Sequence, residues 1–130
     1  MRGLPILAAV CLYAGGASAS DLTIPLPRSV STSEQVVLYQ CDPDPSNMGL
    51  PKSPFPVTYL DAGENHLAVI EIRRMRLIFV RAGVGSSARY VNGLYSWWDA
   101  PGGQGTFLAV ELPPDLGGMQ SILCQRIDSP

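Results

Sequence analysis

The chain has 130 residues, 46% of them hydrophobic and 15% charged, with a formal net charge of −2. That length fits one domain, and the weak negative charge excludes the basic stripe on which a nucleic-acid binder depends, the nearest approach to one being Arg73, Arg74 and Arg76. One histidine, with two of the three cysteines expected in a disulfide, leaves too few ligands for a transition-metal site, so neither a metal nor a cofactor is expected.

Residues 1–19 read as an export signal. Arg2 supplies the positive charge, Leu4 to Tyr13 form a short apolar core, and Ala17-Ser18-Ala19 is a small-x-small cleavage site. Cleavage after Ala19 predicts a periplasmic or secreted product, since the apolar run is too short to span a bilayer. Cys11 raises the alternative of an acylated lipoprotein. Val10 stands before it where a small residue is wanted, and Ala8 where leucine is usual, so no stable membrane anchor is expected. Processing would leave eight basic residues against eleven acidic ones, a net charge of −3.

Residues 20–35 are polar and Pro-bearing, apart from an apolar patch at Leu22 to Leu26, and read as a loosely docked arm. Residues 36–130 form the domain proper. Short runs rich in Val, Ile, Tyr, Phe and Leu alternate there with turn clusters, and no run sustains a helical period. Strands are predicted at 36–41, 55–60, 65–72, 76–82, 88–91, 94–98, 106–111 and 121–126. Asn92-Gly93 is read as a tight hairpin turn, because both residues tolerate positive φ. The segment from Asp42 to Pro54 holds four prolines, which exclude a central strand, and is read as a surface loop. The expected architecture is all-β: a small eight-stranded antiparallel barrel, whose closure removes exposed edges, with a two-sheet sandwich as the alternative.

After processing two cysteines remain, Cys41 near the start of the domain and Cys124 near its end. In an oxidising compartment they are expected to form one disulfide. Closing a loop of about 80 residues stabilises by about 4–5 kcal/mol in the chain-entropy account.

The chain offers little to an enzyme. His66 is its lone histidine and falls in an alternating strand, where it reads as a surface or packing residue. Gly83-Val84-Gly85-Ser86-Ser87 lacks both the spacing and the strand-turn-helix setting of a nucleophile elbow. Asp61, Glu64, Glu71, Asp99, Glu111 and Asp115 are scattered at turns and strand ends and read as solvated charges. The aromatic set Tyr90, Tyr95, Trp97 and Trp98 follows a small polar loop, a combination suited to an interface. Alternation puts Tyr95 and Trp97 on one face of their strand, and at least one tryptophan is expected inside the barrel.

Tyr39-x-Cys41, Val57-Thr58-Tyr59-Leu60, Asn65-His66-Leu67-Ala68, Leu77-Ile78-Phe79-Val80, Ser86-Ser87-Ala88-Arg89-Tyr90, Tyr95-x-Trp97-Trp98 and Cys124 follow one another in an order that resembles the MliC/PliC family of inhibitors of C-type lysozyme. The resemblance spans Val36 to Cys124, and the missing lipidation signal is similar to the periplasmic branch. It implies an eight-stranded barrel that pushes a loop into the lysozyme cleft. There a serine from a Ser-Gly-x-x-Tyr motif and a lysine from a Tyr-x-x-x-Thr-Lys-Gly motif meet the two catalytic carboxyl groups. Ser86 falls on that serine, Tyr90 on the tyrosine of the first motif and Tyr95 on that of the second. Two positions depart: Ser87 replaces the motif glycine, and Asp99-Ala100-Pro101 stands where Thr-Lys-Gly would be, so Ala100 occupies the lysine position.

The expected partner is therefore a C-type lysozyme, met through Ser86, Ser87, Arg89, Tyr90, Tyr95, Asp99 and Ala100, with Arg89 or Gln104 offering replacement hydrogen bonds. The protein is expected to be an inhibitor and not an enzyme. Loss of the ammonium leaves an alternative, an envelope ligand- or glycan-binding barrel that no longer inhibits lysozyme. A hydrolase built on Ser86 and His66 is the third reading.

Overall fold

Eight strands follow one another around the molecule, each hydrogen-bonded antiparallel to the next, and the last pairs with the first to close a barrel. They are β1 (Thr32–Asp42), β2 (Phe55–Ala62), β3 (Asn65–Ile72), β4 (Met75–Ala82), β5 (Arg89–Asn92), β6 (Tyr95–Asp99), β7 (Thr106–Glu111) and β8 (Met119–Ile127). The structure, a computed structural model, describes residues 20–83 and 88–127. Cys11 and the cleavage site after Ala19 lie outside the described residues.

Alternation in the sequence becomes the inside and outside of the wall. Val57, Ala68, Ile70, Ile72, Phe79, Trp97, Leu108, Ile122 and Cys124 are buried and fill the interior. Trp98, one residue beyond Trp97, turns outward and lies against Phe107 with ring centroids 5.5 Å apart. The strand register closes at the β1–β8 seam, where Cys41 faces Cys124 and the two form a disulfide. The bridge spans 83 residues of sequence and joins the first strand to the last.

Three local readings are corrected. First, β1 begins at Thr32, so residues 32–35, assigned above to the arm, pair with β2 from Ala62 to Tyr59. Their side chains are exposed, so no apolar alternation betrayed them. Second, the β5–β6 hairpin turns on Gly93 and Leu94, one residue later than the reading of Asn92-Gly93 as the turn. Asn92 is paired with Tyr95 and its Nδ2 donates to the Ile78 carbonyl at 2.7 Å, while Gly93 takes the positive φ of 53°.

Third, the segment 42–54 is not a mere surface loop. A short 3₁₀ turn, Pro45–Met48, is capped by the Asp44 side chain accepting from the Ser46 N–H, and Gly49 (φ 78°) then reverses the chain. This brings Met48 and Leu50 into the core beside Ile72, where they stopper the barrel. The Arg73 N–H donates to the Gly49 carbonyl at 2.8 Å, tying the stopper to the β3–β4 turn. In that turn Arg73 and Arg74 both have positive φ, 52° and 63°, without being glycine.

The two ends of the barrel therefore differ. One carries the stopper, the β3–β4 and β5–β6 turns and the β7–β8 loop. The other, the open rim, carries the β2–β3 turn, the β4–β5 loop and the β6–β7 loop.

Candidate interaction rim and barrel mouth

The open rim gathers most of the expected site residues that the structure describes. Arg89 begins β5, and its outward side chain lies over the Trp98 ring, 5.9 Å from the centroid, while Nη2 donates to Ser96 Oγ at 3.2 Å. Tyr90, its inward neighbour, is 9% exposed. Asp99 ends β6, where its Oδ1 accepts from Thr106 Oγ1 at 2.9 Å. Ala100 follows, only 5% exposed, with its N–H donating to the Gly105 carbonyl at 2.7 Å. Its methyl group is thus turned into the protein. Ser86 and Ser87 lie outside the described residues.

Tyr95 is not part of this rim. It begins β6 at the stoppered end, pairs with Asn92 and Val110, and rests its ring against Phe79 at 6.5 Å. It supports the wall from which the rim rises.

Beneath the rim, three polar groups are linked inside the barrel. Trp97 Nε1 donates to Tyr59 Oη at 2.8 Å, and the hydroxyls of Tyr59 and Tyr39 share a hydrogen bond of 2.9 Å. The Tyr39 and Trp97 rings meet edge to face at 4.9 Å, and Tyr59 and Tyr90 lie 5.6 Å apart. Burial pushes the Tyr59 phenol well above its ordinary range, against a lowering pull from the Trp97 N–H. Burial also raises Tyr90, with the Asp61 carboxylate adding to the effect and the Arg81 guanidinium opposing it.

This aromatic floor closes a cavity of about 250 Å³ whose walls include Gln35, Asp61, Asp99 and Arg126. A wider groove of about 800 Å³ runs from it between the β6–β7 loop and β8, sharing Tyr39, Trp98, Asp99 and Arg126. Sequence reasoning missed Asp61 and Arg126 as members of the mouth. Asp61 and Asp99 are exposed, as read from the sequence, and also border the cavity; His66 Nδ1 and Asp61 Oδ1 lie within hydrogen-bond distance at 2.5 Å. A signal was present. In β2, β4, β6 and β8 a charged residue stands two positions after an inward residue, as Tyr59-x-Asp61, Phe79-x-Arg81, Trp97-x-Asp99 and Cys124-x-Arg126, and two positions along a strand is the same face nearer the rim.

Of the four, Asp61, Asp99 and Arg126 line the cavity, two acids and one base, whereas Arg81 lines a separate depression with His66 and Val80. Among the described residues no group of three or more His, Cys, Asp or Glu side chains is placed to hold a metal ion.

No protein-family model matches the chain, and no curated protein does. Among solved structures, the chain is similar to MliC of Pseudomonas aeruginosa, determined in complex with hen egg white lysozyme. The TM-score is 0.60 and the sequence identity 26%, over 85% of this chain and 99% of that one. The barrel is MliC-like in fold.

Proposed function

We propose that the protein is an inhibitor of C-type lysozyme that acts by occlusion, setting its open rim against the lysozyme cleft and blocking peptidoglycan hydrolysis. The observation that carries this reading is the likeness to a barrel solved in complex with hen egg white lysozyme, extending over nearly the whole of that chain. The open rim supports it, because the loop bearing Ser86 and Ser87 and the loop after Asp99 rise from the same end of the barrel. The inhibitor is a binding protein and performs no chemistry of its own. It works in the periplasm or after secretion, following cleavage after Ala19.

The contact has to manage without an ammonium at position 100. Ala100 is buried, and the Asp99 carboxylate beside it is engaged by Thr106. Cations available at the open rim include Arg89 on the outer wall, Arg126 at the mouth and Arg81 near the end of β4. Arg89 is held in place by Ser96 and Trp98, so less side-chain freedom is lost when it meets a partner. Ser86 supplies a hydroxyl for the lysozyme carboxyl that acts as general acid.

The test is lysis of bacterial cell walls by hen egg white lysozyme in the presence of the purified protein. Inhibition that weakens in Ser86→Ala and Arg89→Ala is expected. Undiminished lysis at a large molar excess of the protein refutes the proposal.

A further inference from the structure

The charges of this chain are sorted by position. Between Asn65 and Trp98 stand five arginines, Arg73, Arg74, Arg76, Arg81 and Arg89, against one acid, Glu71, while the other ten acidic residues lie outside that span. The barrel is closed and its strands follow in chain order, so β3 to β6 form one continuous half of the wall. A protein of negative overall charge therefore has a basic side. The only ion-pair contact among the described residues joins His66 to Asp61, and no carboxylate holds any of the five arginines. Arg81 and Arg89 stand toward the open rim, whereas Arg73, Arg74 and Arg76 gather at the opposite end, with Glu71 across from Arg76 in the strand register.

Apolar side chains are exposed on the same half. Met75, Ile78, Val80 and Leu94 are each at least 40% exposed. Met75 follows Arg73 and Arg74 at the β3–β4 turn, Leu94 lies in the turn of the next hairpin, and Ile78 and Val80 face outward along β4. The Asn92 amide bond to the Ile78 carbonyl joins the two hairpins, so their tips keep a fixed relation. The β3–β4 turn is also strained, because Arg73 and Arg74 hold left-handed backbone where glycine would cost less. Arginine at a position better suited to glycine points to a use for its side chain.

The mixture selects the partner. A soluble anion would engage the arginines and leave Met75 and Leu94 in water. A protein interface centred on Arg73-Arg74-Met75-Arg76 would have to bring three like charges out of water together, at a high desolvation cost. An anionic bilayer asks for less: guanidinium groups stay among hydrated phosphates while apolar side chains pass between the headgroups.

We propose that the β3–β4 and β5–β6 hairpins dock the protein on an anionic phospholipid surface, with Met75 and Leu94 entering the headgroup layer and Arg73, Arg74 and Arg76 on its phosphates. The open rim lies at the other end of these strands, so a protein held this way presents its rim to solution, and the inference does not depend on what the rim binds.

The test uses the processed protein, free of the apolar export signal, sedimented with vesicles of phosphatidylcholine alone or mixed in equal parts with phosphatidylglycerol. Binding to the mixed vesicles that weakens with salt is expected. Arg74→Gly should lower it about fivefold, the effect of about 1 kcal/mol for one basic residue at an anionic surface, and Leu94→Ser about threefold to tenfold. The first variant carries its own control, because glycine relieves the strained backbone and should raise the melting temperature while lipid affinity falls. Failure to sediment with the mixed vesicles overturns the proposal. So does equal binding to the neutral vesicles, binding that both variants leave unchanged, or displacement by glycerol phosphate at the same phosphate concentration, which marks a site for a soluble anion. Self-association that the two variants abolish, without lipid binding, assigns the surface to a second copy and overturns the proposal as well. None of these outcomes bears on lysozyme inhibition, which is read in a separate assay.

Discussion

Replacing Tyr59 by phenylalanine deletes one oxygen at the junction of the interior hydrogen bonds. Trp97 is 1% exposed and its Nε1 has Tyr59 Oη as its only partner among the described residues, so the variant leaves a buried indole N–H unsatisfied, at about 1–3 kcal/mol. Tyr39 loses a partner as well, but its hydroxyl borders the open groove and can turn to water, which limits that part to about 0.5 kcal/mol. The expected loss is about 2–3 kcal/mol, or roughly 10 °C in melting temperature for a domain of this size. Tyr39→Phe is the internal control, because Trp97 then keeps its acceptor, and it should cost only about 0.5–1.5 kcal/mol. Urea unfolding with the disulfide intact gives both values, and the indole N–H resonance of Trp97 should move only in Tyr59→Phe. Equal losses in the two variants, or a loss under about 0.5 kcal/mol for Tyr59→Phe, refute the claim that Tyr59 is the junction.

Arg74→Gly is expected to stabilise the protein. A side chain at a φ of 63° costs about 1–2 kcal/mol, and glycine returns about 0.5–1 kcal/mol of that through its unfolded-state entropy, so a net gain of about 0.5–1 kcal/mol should appear in the same urea titration. Leu50→Ala empties part of the stopper and should cost about 2–5 kcal/mol by thermal unfolding. Reduction of Cys41–Cys124 should cost about 4–5 kcal/mol, seen as a lower urea midpoint in the presence of reductant. Tyr59 and Tyr90 hold their protons more tightly in the folded state than in the unfolded one. Their contribution is thus full below about pH 10 and lost as pH rises beyond it, so stability should fall on the alkaline side, in step with delayed phenolate absorbance.

Most of the fold was legible because a barrel wall writes itself as alternation. Val57-x-Tyr59 and Ala68-x-Ile70-x-Ile72 are strands with one face hidden, and closure follows from their number. What escaped were stretches whose side chains carry no such contrast. Residues 32–35 bond through their backbones with all side chains exposed, and the stopper buries Met48 and Leu50 from a segment whose prolines mark it as loop. Gly93 alone took the left-handed conformation of the β5–β6 turn, because the Asn92 amide was engaged by β4. The rim was legible in part. Arg89, Tyr90, Asp99 and Ala100 share one end because they border loops on that end, whereas Tyr95 belongs to the opposite one, which spacing in a motif does not reveal. The mouth was missed because Asp61 and Arg126 look like ordinary strand-end charges until the barrel closes and sets both in the wall of one cavity.

The stoppered end has a consequence for how this scaffold can change over time. Met48 and Leu50 pack at that end, and the bridge between Cys41 and Cys124 ties the first strand to the last, so the packing and the covalent tie that hold the chain together are made by residues outside the loops of the open rim. The rim loops are correspondingly free to drift. A lineage can exchange one binding partner for another by rewriting a handful of exposed loop residues while its foundation stays still.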